Sequence, residues 1–586
     1  MRGALVPLAV GVVVVAAAAL RLPRLDVRPM HCDEAVHAVK FGRLLERGEF
    51  IYNPREYHGP SLHYLTLPVA WVCGVHRLPE LGEAHLRIVP ALVGVSLAAG
   101  AWLLRDALGR GAALAAAALT AVSPAMVFYS RYYIQETLLV AFSFAAIVAL
   151  VRLPWVSRGG SDAHSSTLRS VGWLVALGAA VGMMHASKET CVLALGAMTL
   201  AAVLNTPRWW RAGAKRIALG AALVALVAAA VSAVFFSAFG SYPRGVVDSY
   251  ATYLHYLDRA AGAGSAGRHE YPWYQYAKWL LWWPDGHGGH WTELPVAVLA
   301  LAGGIGAVVG RPLRGGEVAA ARWLAVYTLS LAAVYSALSY KTPWCALGFW
   351  HGAILLGGLG AVVLWRAAIG DERAGHSARQ RDARVPPTDA PLRAGRSTIG
   401  RCGRWLAGAA VAVGVVASLG FLAREAYRAS FVAAAEPGNP YVYAHTTPDV
   451  PLLADRVERI AAAHPDDRRM HVQVLCPDDD FWPLPWYFRR LERVGYFSGK
   501  PAGPPAPLIV MQPSMEPLLV EYLFKDQPPG RRRLYVPVPR DQRDRPWWLR
   551  PGVPLVLWAR LDLWERIEGE TFGEAGDSAA KPAPAG

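Results

Sequence analysis

Ionisable side chains at the edges of long apolar runs are the part of this sequence equipped for chemistry, because burying such groups unpaired is costly. They recur at four places: Asp33 and Glu34, Arg131 and Glu136, Lys188 and Glu189, and Lys341. The segment His31-Cys-Asp-Glu-Ala-Val-His37 is the sharpest of them. If Asp33 begins a helix, His37 lies one turn on, on the same face. A carboxylate there can take the proton of an acceptor hydroxyl as that oxygen attacks a sugar carbon, and Glu34 can bind acceptor or metal. The competing reading is a helix N-cap, a place where Asp and Glu are favoured by the dipole. His31, Asp33 and His37 can also meet a divalent metal. No third strong ligand set of recognised spacing appears, so no metal centre is expected and the ion is the lesser alternative.

The other segments carry the complementary charge. Ser130-Arg-Tyr-Tyr-Ile-Gln-Glu136 offers a guanidinium for bidentate phosphate recognition and a carboxylate five residues on. His185-Ala-Ser-Lys-Glu-Thr190 is a short polar hairpin whose Lys188 can neutralise a lipid phosphate; an exposed Lys188–Glu189 neighbour pair is the plain alternative. In Ser339-Tyr-Lys-Thr-Pro-Trp344, Lys341 can hold a leaving phosphate and Pro343 opens a helix. Tyr340 and Trp344, like Tyr132 and Tyr133, suit a substrate lining or an interfacial aromatic belt. His58-Gly-Pro-Ser-Leu-His63 opens a short apolar segment, and its histidines can line an entrance or anchor at the interface. The aromatic stretches Tyr271–Tyr276 and Trp282–His287 suit sugar stacking and bilayer anchoring equally. Asp478-Asp-Asp is followed by no calcium-loop spacing and reads as a solvated turn.

The elements that must position these groups are membrane helices. Of 586 residues 54% are hydrophobic and 18% charged, below the roughly 25% charged of a soluble domain. Eleven apolar runs lie at 5–22, 87–104, 111–128, 135–151, 171–185, 190–204, 217–238, 294–310, 321–338, 345–365 and 405–421. Most approach the ~20 residues of a bilayer span, which excludes a soluble enzyme or a disordered protein. The same runs exclude a disulfide scaffold, and the six scattered cysteines form no CxxC pair, so neither a zinc module nor a thioredoxin-type site is indicated. The first run is followed by Arg21 and Arg24 rather than a clear cleavage site, so it is read as an uncleaved helix.

With the N-terminus in the cytoplasm, the inward loops hold Arg105 and Arg110; Arg152, Arg158 and Arg169; Arg208, Arg211, Lys215 and Arg216; and Arg311, Arg314 and Arg322. The basic loop 366–404 adds more, and its Arg-, Pro- and Gly-rich tract 371–400 reads as disordered. The short outward loops hold only Arg131, Lys188 and Lys341. That is the positive-inside pattern, and it accounts for much of the net charge of +15 without nucleic acid. Asp33, Arg131, Glu136, Lys188 and Lys341 then all fall on the outer face, along with two long loops, 23–86 and 239–293. Leu62–Val75 is apolar but short, and is read as lying along the membrane surface.

From 422 the composition changes. His471–Cys476 and Leu508–Gln512 read as buried strands, Leu452–Ala463 and Glu516–Phe524 as helices. The expected architecture is an α-helical polytopic membrane domain, 1–421, with about 11 transmembrane helices, and a small extracytoplasmic α/β domain, 422–586, ending in a frayed tail. The setting is the plasma membrane.

In order along the chain, Asp33-Glu34, His58-Gly-Pro60, Ser130–Glu136, Lys188-Glu189, Tyr340–Trp344 and Trp482–Tyr487 resemble the GT-C superfamily of integral-membrane, lipid-phosphate-sugar-dependent glycosyltransferases. These include the protein O-mannosyltransferases and aminoarabinose transferases. The details are most similar to a branch of flippase-associated Agl-type proteins. The resemblance spans about 1–366 and, more weakly, the tail. It implies a polyprenyl-phosphate-linked sugar as donor and inverting transfer on the extracytoplasmic side to a glycan, lipid or protein. By position it makes Asp33 the base and Glu136 the second acid. Arg131 and Lys341 become the phosphate-side cations, with Glu34, Lys188 and Glu189 matching more weakly. The tail departs from the sugar-binding modules of the mannosyltransferases. The alternative is a non-catalytic flippase-associated, transport or assembly protein; the polar groups sit at helix ends rather than at a midplane, unlike a transporter site.

Overall fold

The computed structural model describes residues 2–55, 58–153, 163–205, 214–260, 269–370, 390–540 and 545–567. Arg158, Arg208, Arg211, the 371–389 part of the basic tract and the tail from 568 lie outside them. Residues 390–400, expected to be irregular, open a helix instead. The chain forms two compact units: Met1–Leu25 with Glu49–Cys73 and Ala84–Tyr443, and Asp26–Gly48 with Gly74–Glu83 and the chain from Ala444 on. The division read from composition at 421/422 therefore differs in two respects. Residues 422–443 belong with the first unit, and part of the first outer loop belongs with the second. A composition shift reports what solvent a segment prefers, whereas a compact unit is made by long-range contacts.

In the first unit every apolar run falls on a helix. In chain order these are α1 (Arg2–Arg21), α3 (Ser61–Val72, the short apolar segment), α4 (Glu83–Gly100, whose first residue falls in the second unit), α5 (Arg110–Val122), α6 (Pro124–Ser130) and α7 (Glu136–Arg152). They continue with α8 (Ala163–Ser187), α9 (Cys191–Asn205), α10 (Ala214–Phe236), α11 (Leu294–Val309), α12 (Gly315–Ala337), α13 (Leu347–Ile369) and α14 (Ala390–Tyr427). Among the described residues, six helices are long and apolar enough to cross a membrane, or seven if α5 and α6 form one bent span. The expected count of eleven crossings is not confirmed by length and composition among these residues. Val6–Arg21, α9 and α11 are apolar but shorter.

The α5/α6 bend of 57° has a sequence cause. Pro124 lacks an N–H and disfavours helical backbone at Ser123, so the ladder breaks and the Thr120 and Ala121 carbonyls lose their helical donors. The buried Arg21 guanidinium replaces them, donating to Ala121 O at 2.7 Å and Thr120 O at 2.8 Å. Elsewhere close packing relies on small residues: α11 approaches α13 so closely that a Cβ on Gly360 would overlap the Leu299 carbonyl oxygen.

The second unit contains α2 (Cys32–Arg47), which lies between α1 and α3 in the chain, with α15 (Asp449–Ala462) and α16 (Glu516–Val520). Its sheet comprises β1 (Val472–Leu475), β2 (Val494–Phe497), β3 (Leu508–Met511), β4 (Tyr535–Val538), β5 (Trp547–Arg550) and β6 (Val553–Arg560). The order is β2-β1-β3-β6-β4, with β5 also pairing with β6. β1 runs parallel to β2 and β3, with Val472 opposite Val494 and Leu508. β6 closes the sheet antiparallel, with Ala559 opposite Leu508. β1 and β3 are buried throughout, as the middle strands of a covered sheet must be, and both are apolar apart from Gln473 in β1. α15 turns Val450, Leu453, Ala454, Val457 and Ile460 inward at helical spacing.

Candidate functional site

In the second unit the site is the first turn of α2. The N-cap is His31, not Asp33: the Asp33 N–H donates to His31 Nδ1 at 3.1 Å. Glu34 completes the capping box, accepting the His31 N–H at 3.1 Å. Glu34 is fully buried and also faces Arg28 at 3.6 Å. The residue expected to bind acceptor or metal is therefore held inside the fold. Asp33 is left with its side chain 42% exposed, and its Oδ1 accepts from the Cys32 thiol at 3.6 Å. Burial, reinforced by Asp33, pushes the Cys32 thiol well above its usual range. His37 is buried one turn further on.

The ligand atoms of His31, Cys32 and Asp33 lie within 4.8 Å of one another, the one such group among the described residues. They fit a metal poorly. Three ligands are fewer than the four of a structural zinc site or the six to eight oxygens around calcium. The thiol resists ionisation, and His31 Nδ1 already accepts the helix-cap hydrogen bond. His37 is not part of the group.

In the first unit, polar groups from four segments meet. Lys188 pairs with Glu136, both nearly buried, rather than with its neighbour Glu189. Burial lowers the Lys188 pKa, but Glu136, Cys345 and Glu189 together outweigh it and the net shift is upward. Cys345, beside Trp344, lies close enough to feel both charges. Glu189 holds the His58-Gly59-Pro60 turn: its carboxylate accepts the His58 N–H at 3.0 Å and lies 3.5 Å from the His58 ring. Gly59 N–H donates to Ser187 O at 2.9 Å, and a Cβ on Gly59 would overlap the Ala186 carbonyl. Trp344 is buried in a ring cluster with Tyr129, Tyr132 and Tyr443, whereas Tyr340 is exposed beside His269.

The two other cations differ. The Arg131 guanidinium donates to Arg21 O at 2.9 Å, Pro23 O at 2.7 Å and Arg24 O at 2.7 Å, and stacks on Phe431. The side chain expected to meet donor phosphate instead closes the end of α1. Lys341 is 1% exposed; among the described residues its ammonium donates to two carbonyls, Tyr271 O at 3.2 Å and Leu338 O. No carboxylate among the described residues pairs with it, and burial lowers its pKa. Sequence reasoning missed Arg28, Cys345 and Tyr253, whose hydroxyl donates to Glu189 O at 3.2 Å. Nothing local marks them, because each matters through a partner distant in the chain or in an adjacent turn.

The sequence profile of the Dolichyl-phosphate-mannose-protein mannosyltransferase family matches residues 68–235, a stretch that includes Arg131, Glu136, Lys188 and Glu189. No curated protein is significantly similar in sequence. Among solved structures, ArnT from Cupriavidus metallidurans in the apo state is similar at 17% identity and a TM-score of 0.58, over 95% of this chain and 98% of that one. ArnT bound to undecaprenyl phosphate matches at 17% identity and a TM-score of 0.57, over 94% and 97%. Archaeal oligosaccharyltransferase AglB from Archaeoglobus fulgidus, in complex with an inhibitory peptide and a dolichol-phosphate, matches at 14% identity and a TM-score of 0.51, over 88% and 70%. At such identities the likeness is one of architecture, and it extends along nearly the whole of ArnT. The chain has the GT-C fold of integral-membrane glycosyltransferases, the superfamily its motifs resemble.

Proposed function

We propose that the chain is a membrane glycosyltransferase that moves a sugar from a polyprenyl-phosphate-linked donor to an acceptor hydroxyl on the extracytoplasmic face. The observation that carries this reading is the division of labour at the start of α2. His31 and Glu34 perform the capping, so the Asp33 carboxylate is not needed for the cap and its side chain is left 42% exposed. Asp33 takes the acceptor proton, the acceptor oxygen bonds to the anomeric carbon, and the bond from that carbon to the phosphate oxygen breaks. A single displacement inverts the anomeric configuration, and the polyprenyl phosphate leaves as an anion. Lys341 of the first unit, whose ammonium donates to carbonyls and pairs with no carboxylate among the described residues, suits a phosphate anion. Lys188 is a secondary candidate, since a phosphate must compete with Glu136 for it. The arginine asymmetry of the loops supports a cytoplasmic N-terminus and a plasma-membrane setting. The ligands bound in the ArnT and AglB structures, undecaprenyl phosphate and dolichol-phosphate, support the donor class.

Asp33→Asn tests the assignment. Asn keeps the size but cannot accept the proton, and since the cap belongs to His31 the fold should not respond. With radiolabelled polyprenyl-phosphate hexose and solubilised membrane acceptors, transfer should fall roughly 10²–10⁴-fold, with donor binding and thermal stability unchanged. Near-normal transfer with donor bound removes Asp33 from the chemistry.

A further inference from the structure

The chain leading into α2 is fastened by side chains more than 400 residues away, all within the second unit. Met30, two residues before the helix begins, is fully buried with its peptide groups. Buried backbone donors and acceptors must find partners, and here neither partner is local. The Met30 N–H donates to the Tyr487 hydroxyl at 2.8 Å, and the Thr446 hydroxyl donates to the Met30 carbonyl at 2.6 Å. The ring of His445 stacks on that of His31 at 5.9 Å with a 12° interplanar angle. His31 is the residue whose Nδ1 takes the Asp33 N–H, so whatever fixes His31 also fixes the first turn on which Asp33 sits. Tyr487 is itself held, since the short helix Leu484–Tyr487 packs against α2. The two segments, His445-Thr446 and Tyr487, hold the two successive peptide groups that flank the Met30 Cα, one by its N–H and the other by its carbonyl.

We infer that Tyr487 and Thr446 are positioning residues for Asp33: by holding both peptide groups of Met30, the C-terminal part of the chain sets the direction of the carboxylate that takes the acceptor proton. This rests on the reading of Asp33 as the base. It gives the sheet-bearing unit a role in the reaction that its lack of likeness to sugar-binding modules left open. A general base works only within hydrogen-bond reach of its proton, so a shift of about 1 Å in the turn can cost on the order of 10²-fold in rate.

The test uses the full-length protein in detergent, with radiolabelled polyprenyl-phosphate hexose and solubilised membrane acceptors. Tyr487→Phe removes the acceptor of the Met30 N–H while keeping the ring, and Thr446→Val removes the donor to the carbonyl while keeping the branch. Each should lower kcat about 10–100-fold, leaving the donor KM and polyprenyl-phosphate binding unchanged. Thr446→Ser, which keeps the hydroxyl, should restore the rate. Combined with Asp33→Asn, neither should cause a further loss, because a carboxylate already absent cannot be misaimed. Wild-type kcat in both Tyr487→Phe and Thr446→Val, while Asp33→Asn is inactive, overturns the positioning role and leaves the base assignment standing. Full multiplication of the losses with that of Asp33→Asn also overturns it. Near-normal transfer by Asp33→Asn overturns the base assignment itself, and the positioning role with it. Should either variant unfold, seen as a loss of polyprenyl-phosphate binding, the Ser rescue and the other variant decide.

Discussion

Asp33 and Glu34 are adjacent carboxylates in opposite environments, and that contrast carries more information than either charge alone. Glu34 satisfies a backbone donor and faces an arginine inside the fold, so it is fully occupied there. Asp33 has no such duty. Lys341 shows the same logic for cations. A buried ammonium among carbonyls keeps its charge at a desolvation cost, which is why its pKa lies below that of an exposed lysine. A lowered pKa means the charge is lost earlier as pH rises. Binding of polyprenyl phosphate, followed by quenching of tryptophan fluorescence, should therefore weaken on an alkaline limb beginning below the ~10.4 of free lysine. Lys341→Arg should abolish that limb, because a guanidinium stays protonated. Lys341→Met should weaken binding about 10–100-fold at neutral pH, the equivalent of a lost charge-assisted hydrogen bond. An alkaline limb unmoved in Lys341→Arg assigns the titration to another group.

At the scale of elements, helix ends and close approaches do the positioning. Pro124 breaks α5 from α6, and Arg21 takes up the carbonyls that the break frees. Arg131 in turn takes up the carbonyls at the end of α1, so the two arginines act as clasps between helix ends. Packing of α11 on α13 depends on the missing side chain of Gly360. Gly360→Val should force the helices apart and cost about 1–3 kcal/mol, seen as a lower midpoint in thermal unfolding of the detergent-solubilised protein. Gly304→Ala, on the same α11 but with nothing within 4 Å of the added Cβ, should leave the midpoint unchanged or raise it. Equal effects of the two changes contradict a packing role for Gly360. Both the proline break and the small-residue face were visible as residue types in the sequence. Their partners were not, since neither arginine's acceptor is signalled by spacing.

At the scale of the whole molecule, the arginine distribution makes a prediction independent of any helix count. On single cysteines introduced into a cysteine-free background, a membrane-impermeant maleimide should label the 23–86 loop from outside intact cells. The 366–404 loop should be labelled only after permeabilisation. Labelling of both from the same side refutes the orientation.

What the sequence determined by itself follows from local physics. Apolar length and periodicity marked the membrane-domain helices and the two central strands, because burial on all sides demands mostly apolar residues, whereas the helix Arg244–Ala260 inside the 239–293 loop went unmarked. Charged groups at the run ends marked Asp33, Glu136, Lys188 and Lys341 as places where a membrane protein spends free energy for a reason. What only the tertiary structure decided is which of those groups are spoken for. Glu34 and Arg131 are as conspicuous in sequence as Asp33 and Lys341, yet the fold gives the first two to backbone groups and, for Glu34, to Arg28. The edge strands at Val494, Tyr535 and Trp547 were likewise invisible, because a half-exposed four-residue strand takes its identity from its neighbour. The same holds for the second compact unit: its union of Met30 with Tyr487 and Thr446 rests on two hydrogen bonds that span most of the chain. Composition and spacing report nothing about partners that far apart.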